Sequence, residues 1–147
     1  MDHVVFVDAK SQELENLLNG NKSMIIRGAA KRKIPHGRVY EGDVLYFIRN
    51  NGEEKVKAVG LVSSVLHSEE LSVEESFETI IKNQDKLQLP DKQFEKLAGK
   101  RYLVLIALNE VEEVEPFPIA KSKFSATDDW IPVGKIESVY LEGAKIG

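Results

Sequence analysis

Not one of the 147 residues is a cysteine. Disulfides, thiolate catalysis and cysteine-ligated zinc are therefore excluded, and a reducing compartment fits. Long apolar runs are missing too: none approaches the ~20 residues of a membrane-spanning helix. The start, Met1-Asp2-His3 followed by Val4-Val5, has neither a basic n-region nor an apolar h-region. A cytoplasmic protein with no membrane partner is expected. The sequence also contains no GxxxxGK[ST] phosphate loop, no GxGxxG, no HExxH and no GxSxG. His3, His36 and His67 stand apart without metal-ligand spacing, so neither a metal nor a cofactor is expected. Repeats and Pro/Gly/Ser-rich linkers are lacking, and the length lies within the roughly 100–200 residues usual for one domain. Residues 1–147 are therefore expected to form a single domain.

The most informative absence is local. From Asn16 to Tyr40 there is no Asp or Glu, while Lys22, Arg27, Lys31, Arg32, Lys33 and Arg38 all fall in that window. Net charge is −4, yet this segment carries +6 and the remainder sets 14 basic against 24 acidic residues. Such asymmetry marks an anion-binding face more reliably than net charge does.

Hydrophobic periodicity supplies the elements. His3–Val7 reads as a short strand. Asp8 or Ser11 can cap a helix carrying Leu14, Leu17 and Leu18 that stops at Gly20. Met24–Arg27 is a second strand, and the polar stretch from Gly28 to Gly37, broken by Pro35, reads as a loop. Asp43–Arg49 and Lys55–Leu66 flank Asn50-Asn51-Gly52-Glu53, whose Asn-Gly pair suits a hairpin turn. Gly60 inside the return strand suggests a bulge or a close backbone approach. Ser72-Val73-Glu74-Glu75 is a capping box, followed by Val73, Phe77, Ile80 and Ile81 at helical spacing. Pro90 opens a shorter helix with Phe94 and Leu97 inward, ended by Gly99. Tyr102–Leu108 is nearly all apolar and predicts a central strand covered on both faces. Beyond it Val111, Val114 and Phe117 are interleaved irregularly with Glu110, Glu112, Glu113 and Glu115, a half-exposed acidic segment. A last strand, Lys135–Leu141, is expected after a turn at Pro132-Val133-Gly134. Val44, Leu45, Phe47, Val59, Phe77, Ile81, Leu103, Leu105 and Ala107 are the expected core.

The order β-α-β-loop-β-β-α-α-β-β lacks the alternation of a doubly wound sheet. It predicts an α+β fold, a small mixed or antiparallel β-barrel with peripheral helices.

The candidate site is the run from Arg27 to Tyr40. Arginine forks and lysine ammoniums match phosphate oxygens and release counterions on binding. Arg27, Lys31, Arg32, Lys33 and Arg38 supply the charge, and His36 lies among them. Gly28 and Gly37 permit close backbone approach, and Tyr40 and Trp130 could stack on a base.

The basic, glycine-containing loop runs into Val39-Tyr40-Glu41-Gly42-Asp43-Val44-Leu45-Tyr46-Phe47, and the glycine-bearing strand Lys57-Ala58-Val59-Gly60-Leu61-Val62 follows. Over roughly residues 20–110 this resembles the PUA-like superfamily, in particular its ASCH and EVE branches. The resemblance implies recognition of RNA or of a modified nucleotide or nucleoside in a cleft between barrel strands and flanking helices. The G-x-K-x-x-E-x-R motif of the ASCH branch is not reproduced. After Gly28 its Lys, Glu and Arg positions hold Ala30, Lys33 and Pro35, and Lys31 and Arg38 stand nearby out of register. The expectation is a binding module for RNA or a modified base. One alternative is a small nucleoside amidohydrolase or nuclease of ASCH type, with Lys31 or Lys33 activating Ser63 or Ser64. A third is an interaction protein using its acidic segment and the helix over 72–86.

Overall fold

The computed structural model describes residues 1–120 and 129–140. Its elements in chain order are β1 (Asp2–Val7), α1 (Glu13–Leu18), β2 (Met24–Ala29), β3 (Val44–Arg49), β4 (Lys55–His67), α2 (Val73–Leu87), α3 (Asp91–Leu97), β5 (Tyr102–Pro118) and β6 (Trp130–Gly134), with a 3₁₀ turn at Ile136–Val139. The six strands form one mixed sheet in the order β2-β5-β4-β3-β1-β6. Every pairing is antiparallel except that of β1 with β3. The sheet curls into an open barrel. Across its seam Arg27 of β2 donates from Nη2 to the Phe6 carbonyl of β1 at 2.8 Å, and its guanidinium lies 5.5 Å from the centre of the Trp130 ring on β6. Among the described residues no helix is long and apolar enough to cross a membrane.

Strand alternation sorts the side chains into three apolar clusters. Val5, Val7, Ile25, Leu45, Phe47, Ala58, Val104 and Ile106 fill the barrel, and α1 adds Leu14 and Leu17. Met24, Ile26, Leu103 and Leu105 point the other way and pack against Ile80, Leu87 and Leu89 from α2 and its C-terminal extension. Val4, Ile48, Val56 and Phe117 pack against Ile136 and Val139 of the 3₁₀ turn. Gly60 is required inside β4, since a Cβ there would lie 3.1 Å from the Phe47 ring and 3.2 Å from Val111.

The β3–β4 hairpin forms as expected, with Leu45 opposite Gly60 and Phe47 opposite Ala58. Its connection is longer than a two-residue turn, with Gly52 and Glu54 both at positive φ. The capping box at Ser72 is also realised: the Ser72 hydroxyl accepts the Glu75 amide and the Glu75 carboxylate accepts the Ser72 amide. β5 is one long strand between β2 and β4, with Leu103–Ile106 buried. The irregular spacing of Val111, Val114 and Phe117 follows from three register shifts in its pairing with β4, which reset the two-residue alternation. Glu110, Glu112, Glu113 and Glu115 are exposed.

Several expectations are corrected. β2 continues through Gly28 and Ala29, so the loop begins at Ala30. Neither Asp8 nor Ser11 caps α1; the Asp8 carboxylate accepts the Ser11 amide in the turn before it, and Gln12 takes the cap position at φ 57°. The last strand is not 135–141. Residues Ile136–Val139 form the 3₁₀ turn, Leu141 lies outside the described residues, and the strand is Trp130–Gly134. Pro132 fits there because β6 is an edge strand whose second side needs no ladder donor.

The face of α2 is the largest correction. Ser76, Ile80 and Leu87 are its buried residues, whereas Phe77 is 39% and Ile81 61% exposed. Ser76 goes inward because its hydroxyl accepts the Gly99 amide at 3.0 Å. The helix is thereby rolled so that Val73, Phe77 and Ile81 ride its outer edge. Phe77 still meets Phe94 edge-on at 5.9 Å. Phe77→Ala should therefore cost roughly 1 kcal/mol in a urea titration, well short of the 3–5 kcal/mol of a core phenylalanine. Val44, Val59 and Ala107 are half-buried, and Leu45, Phe47, Leu103 and Leu105 are fully inside.

Candidate nucleic-acid interface

A small pocket of about 60 Å³ opens where β2 gives way to the basic loop. Its walls are Arg27, Gly28, Ala29, Lys31, Lys33, Ile34 and His36 from β2 and the loop, Tyr102 and Val104 from β5, and Asp129, the residue before β6. Gly28 keeps this wall thin. A Cβ there would lie 3.0 Å from Leu97 and 3.1 Å from Leu103, so α3 and β5 can close behind it only without a side chain.

Arg27 is the fixed charge of the pocket. Its two terminal nitrogens donate to the Ile26 and Phe6 carbonyls at 2.9 and 2.8 Å. Its buried Nε lies 3.3 Å from the Asp129 carboxylate as an ion pair, outside hydrogen-bonding geometry. Lys31 and Lys33 are exposed. His36 is half-buried, its Nε2 2.8 Å from the Ser68 carbonyl, and its ring meets Tyr102 edge-on at 5.8 Å.

The other expected site residues stand elsewhere. Arg32 reaches across the outside of Tyr102, 5.6 Å from the ring centre, and pairs with Glu69 at 3.2 Å. Arg38 is exposed and outside the pocket wall. Tyr40 is exposed, its hydroxyl donating to the Gly37 carbonyl at 2.8 Å. Trp130 corrects the expectation of a stacking platform: it is 3% exposed and its indole N–H donates to His3 Nδ1 at 3.0 Å. Its ring supports the Arg27 guanidinium from the core side. Ser63 and Ser64 lie on β4, outside the pocket wall. Sequence reasoning missed Tyr102 on β5, Asp129 just before β6 and His67 on β4, which share no local motif with the loop. Among the described residues no three His, Asp or Glu side chains gather as a metal site.

Behind the seam runs a buried polar chain. Trp130 donates to His3 Nδ1, and His3 Nε2 lies 2.8 Å from Asp43 Oδ2, an arrangement that requires the neutral Nε2–H tautomer. Burial holds His3 below its ordinary value of 6.5, outweighing the hydrogen bond and charge of Asp43 that act the other way. For Asp43 burial acts upward, but the bonds from His3 and the Tyr40 amide win and hold the carboxyl below 3.8. Both folded values are depressed, so both contributions are full at neutral pH and are lost on acidification. The His3 window opens below pH 6.5 and the Asp43 window below pH 3.8. Stability in urea should therefore fall from about pH 7 toward pH 5, at no more than about 1.4 kcal/mol per pH unit for the His3 proton. A flat profile over that range would contradict the neutral buried imidazole.

No protein-family model matches the sequence, and no curated protein matches it. Among solved structures the chain is similar to ASCH from Zymomonas mobilis, at 11% identity over 93% of this chain and 90% of that one, with a TM-score of 0.68. Two single-residue variants of the same protein align at 12% identity and a TM-score of 0.69, covering 93% of this chain and 93% and 91% of theirs. At such identity the likeness concerns the backbone alone. The curled mixed sheet and its peripheral helices are together an ASCH-like fold.

Proposed function

We propose that this chain is a nucleic-acid-binding module that holds RNA, or a modified nucleotide or nucleoside, at the pocket between β2 and the basic loop. One observation carries the reading: Lys31, Lys33 and His36 line one pocket with the fixed guanidinium of Arg27 and the half-buried Gly28 and Ala29, beside Tyr102. Lysines supply point charges for phosphate oxygens, and backbone amides at a glycine can approach them closely. Asp129, the one carboxylate in the wall, is an acceptor for base amino groups. The protein is read as cytoplasmic and as a single unit over 1–147. Hydrolysis is the weaker reading, because Ser63 and Ser64 stand outside the pocket and no Glu falls between Arg27 and Tyr40.

The test is binding of a labelled single-stranded RNA across a salt series, with wild type and the Lys31→Ala/Lys33→Ala double variant. Each neutralised phosphate steepens the log–log dependence by about 0.7 for single strands, so the double variant should flatten the slope by roughly 1.4. Its melting temperature should hardly change, since exposed cations contribute little to folding. An unchanged slope would reduce the loop to a solvated surface.

A further inference from the structure

The fourteen residues between β2 and β3, Ala30–Asp43, contain no regular element, yet Arg32, His36, Gly37, Val39 and Asp43 are all joined by side-chain bonds to groups outside the loop. His67, the last residue of β4, sits at the centre. Its Nδ1 accepts the Gly37 amide at 3.0 Å, and its Nε2 lies 2.7 Å from the Val39 carbonyl. Because an amide can only donate and a carbonyl only accept, the ring must be neutral and carry its hydrogen on Nε2. Two rings lie against it as well: Tyr40 is 5.3 Å and His36 5.4 Å away, centre to centre. One residue on, the Ser68 carbonyl holds His36. Gly37, at φ +74°, adopts a backbone shape that gains little from intrinsic preference in other residues and is set here by these contacts.

We propose that His67 is the positioning residue of the basic loop and makes its shape proton-sensitive: the neutral imidazole clamps Gly37 and Val39, presenting Lys31, Lys33 and His36 to the pocket, and a proton on Nδ1 releases the clamp. A protonated Nδ1 is a donor facing the Gly37 N–H, so that bond is lost. The titratable and charged groups around the ring are His36 and Tyr40 of the loop, Tyr102 of β5 beside His36, and the Arg32–Glu69 pair outside Tyr102. The effect on ligand rests on the binding reading above; the clamp itself does not.

Two substitutions separate the outcomes. His67→Ala removes both bonds. His67→Gln keeps an acceptor and a donor at similar separation but cannot be protonated. Trypsin cleavage after Lys31, Arg32 or Lys33 should be faster in the folded alanine variant and close to wild type in the glutamine variant. Affinity for the labelled single-stranded RNA at about pH 8 should drop about fivefold in the alanine variant, the worth of one backbone hydrogen bond, and return in the glutamine variant. On acidification the ratio of wild-type to His67→Gln affinity should fall, because His3 and His36 are common to both and cancel. If the alanine variant does not fold, exchange of the wild-type Gly37 amide, corrected for its intrinsic pH dependence, decides instead and should accelerate on acidification. Equal cleavage of wild type and His67→Ala, or a glutamine variant that behaves like alanine, overturns the clamp. Wild-type protein that binds no RNA at either pH overturns the binding reading, and the cleavage pattern still decides the clamp.

Discussion

Truncating Phe47 to alanine should destabilise the protein by about 3–5 kcal/mol, the range for a buried phenylalanine whose surroundings cannot collapse. Phe47 is fully buried in the barrel, and β4 was left without a side chain at Gly60 to admit its ring. Phe47 lies two positions beyond Leu45, the partner of Gly60 in the β3–β4 pairing, and so on the same inner face. Urea denaturation of Phe47→Ala measures the cost, and a loss under about 1 kcal/mol would mean the barrel interior is not packed as described. Phe77→Ala is the built-in comparison, chemically identical and sited on the outer edge of α2.

Removing Glu13 should cost a similar amount for a different reason. Lys22 is 4% exposed, and its ammonium lies 3.1 Å from Glu13 while donating to the Leu87 carbonyl at 2.6 Å. Burial pulls the lysine below its ordinary 10.5, and Glu13 only partly offsets this. Glu13→Ala leaves that cation without a counter-charge and leaves the Asp8 amide without its acceptor. Breaking a buried pair in this way costs about 3–5 kcal/mol. Replacing both partners, as Glu13→Leu with Lys22→Met, should recover most of the loss, since apolar substitutes of similar volume are close to neutral. The Leu87 carbonyl would still lose its donor, at about 1 kcal/mol. If the single variant were as stable as wild type, the pair would contribute nothing to joining α1 with the end of α2.

The features legible in the sequence are those whose cause is local. Asn51-Gly52 between two apolar runs produced the β3–β4 hairpin, and Ser72 with Glu75 produced the capping box, because each needs only residues a few positions apart. The run Tyr102–Leu108 identified the central strand, since burial on both faces leaves no polar position. The errors share the opposite character. Ser76 is polar yet buried, for the sake of the Gly99 amide 23 positions away, and nothing near it announces that bond. Pro132 reads as a turn residue until β6 is known to be an edge strand. The parallel pairing of β1 with β3 depends on a connection through α1, β2 and the loop, and no periodicity encodes it. Of the site, the cluster of cations in an acid-free window identified Arg27, Lys31, Lys33 and His36. Tyr102 was hidden because strand pairing sets it opposite Ala29, and Asp129 because the barrel's curl, not sequence proximity, brings it to Arg27.

Whether the pocket is the binding surface is most directly measured by backbone amide shifts on titrating labelled protein with single-stranded RNA. The account predicts the largest changes at Gly28, Ala29, Lys31, Lys33, Gly37 and Tyr102, with Glu110–Glu115 on the acidic stretch of β5 and the outer edge of α2 unmoved. Shifts concentrated at Val73, Phe77 and Ile81 or along that acidic stretch, with the loop silent, would contradict it.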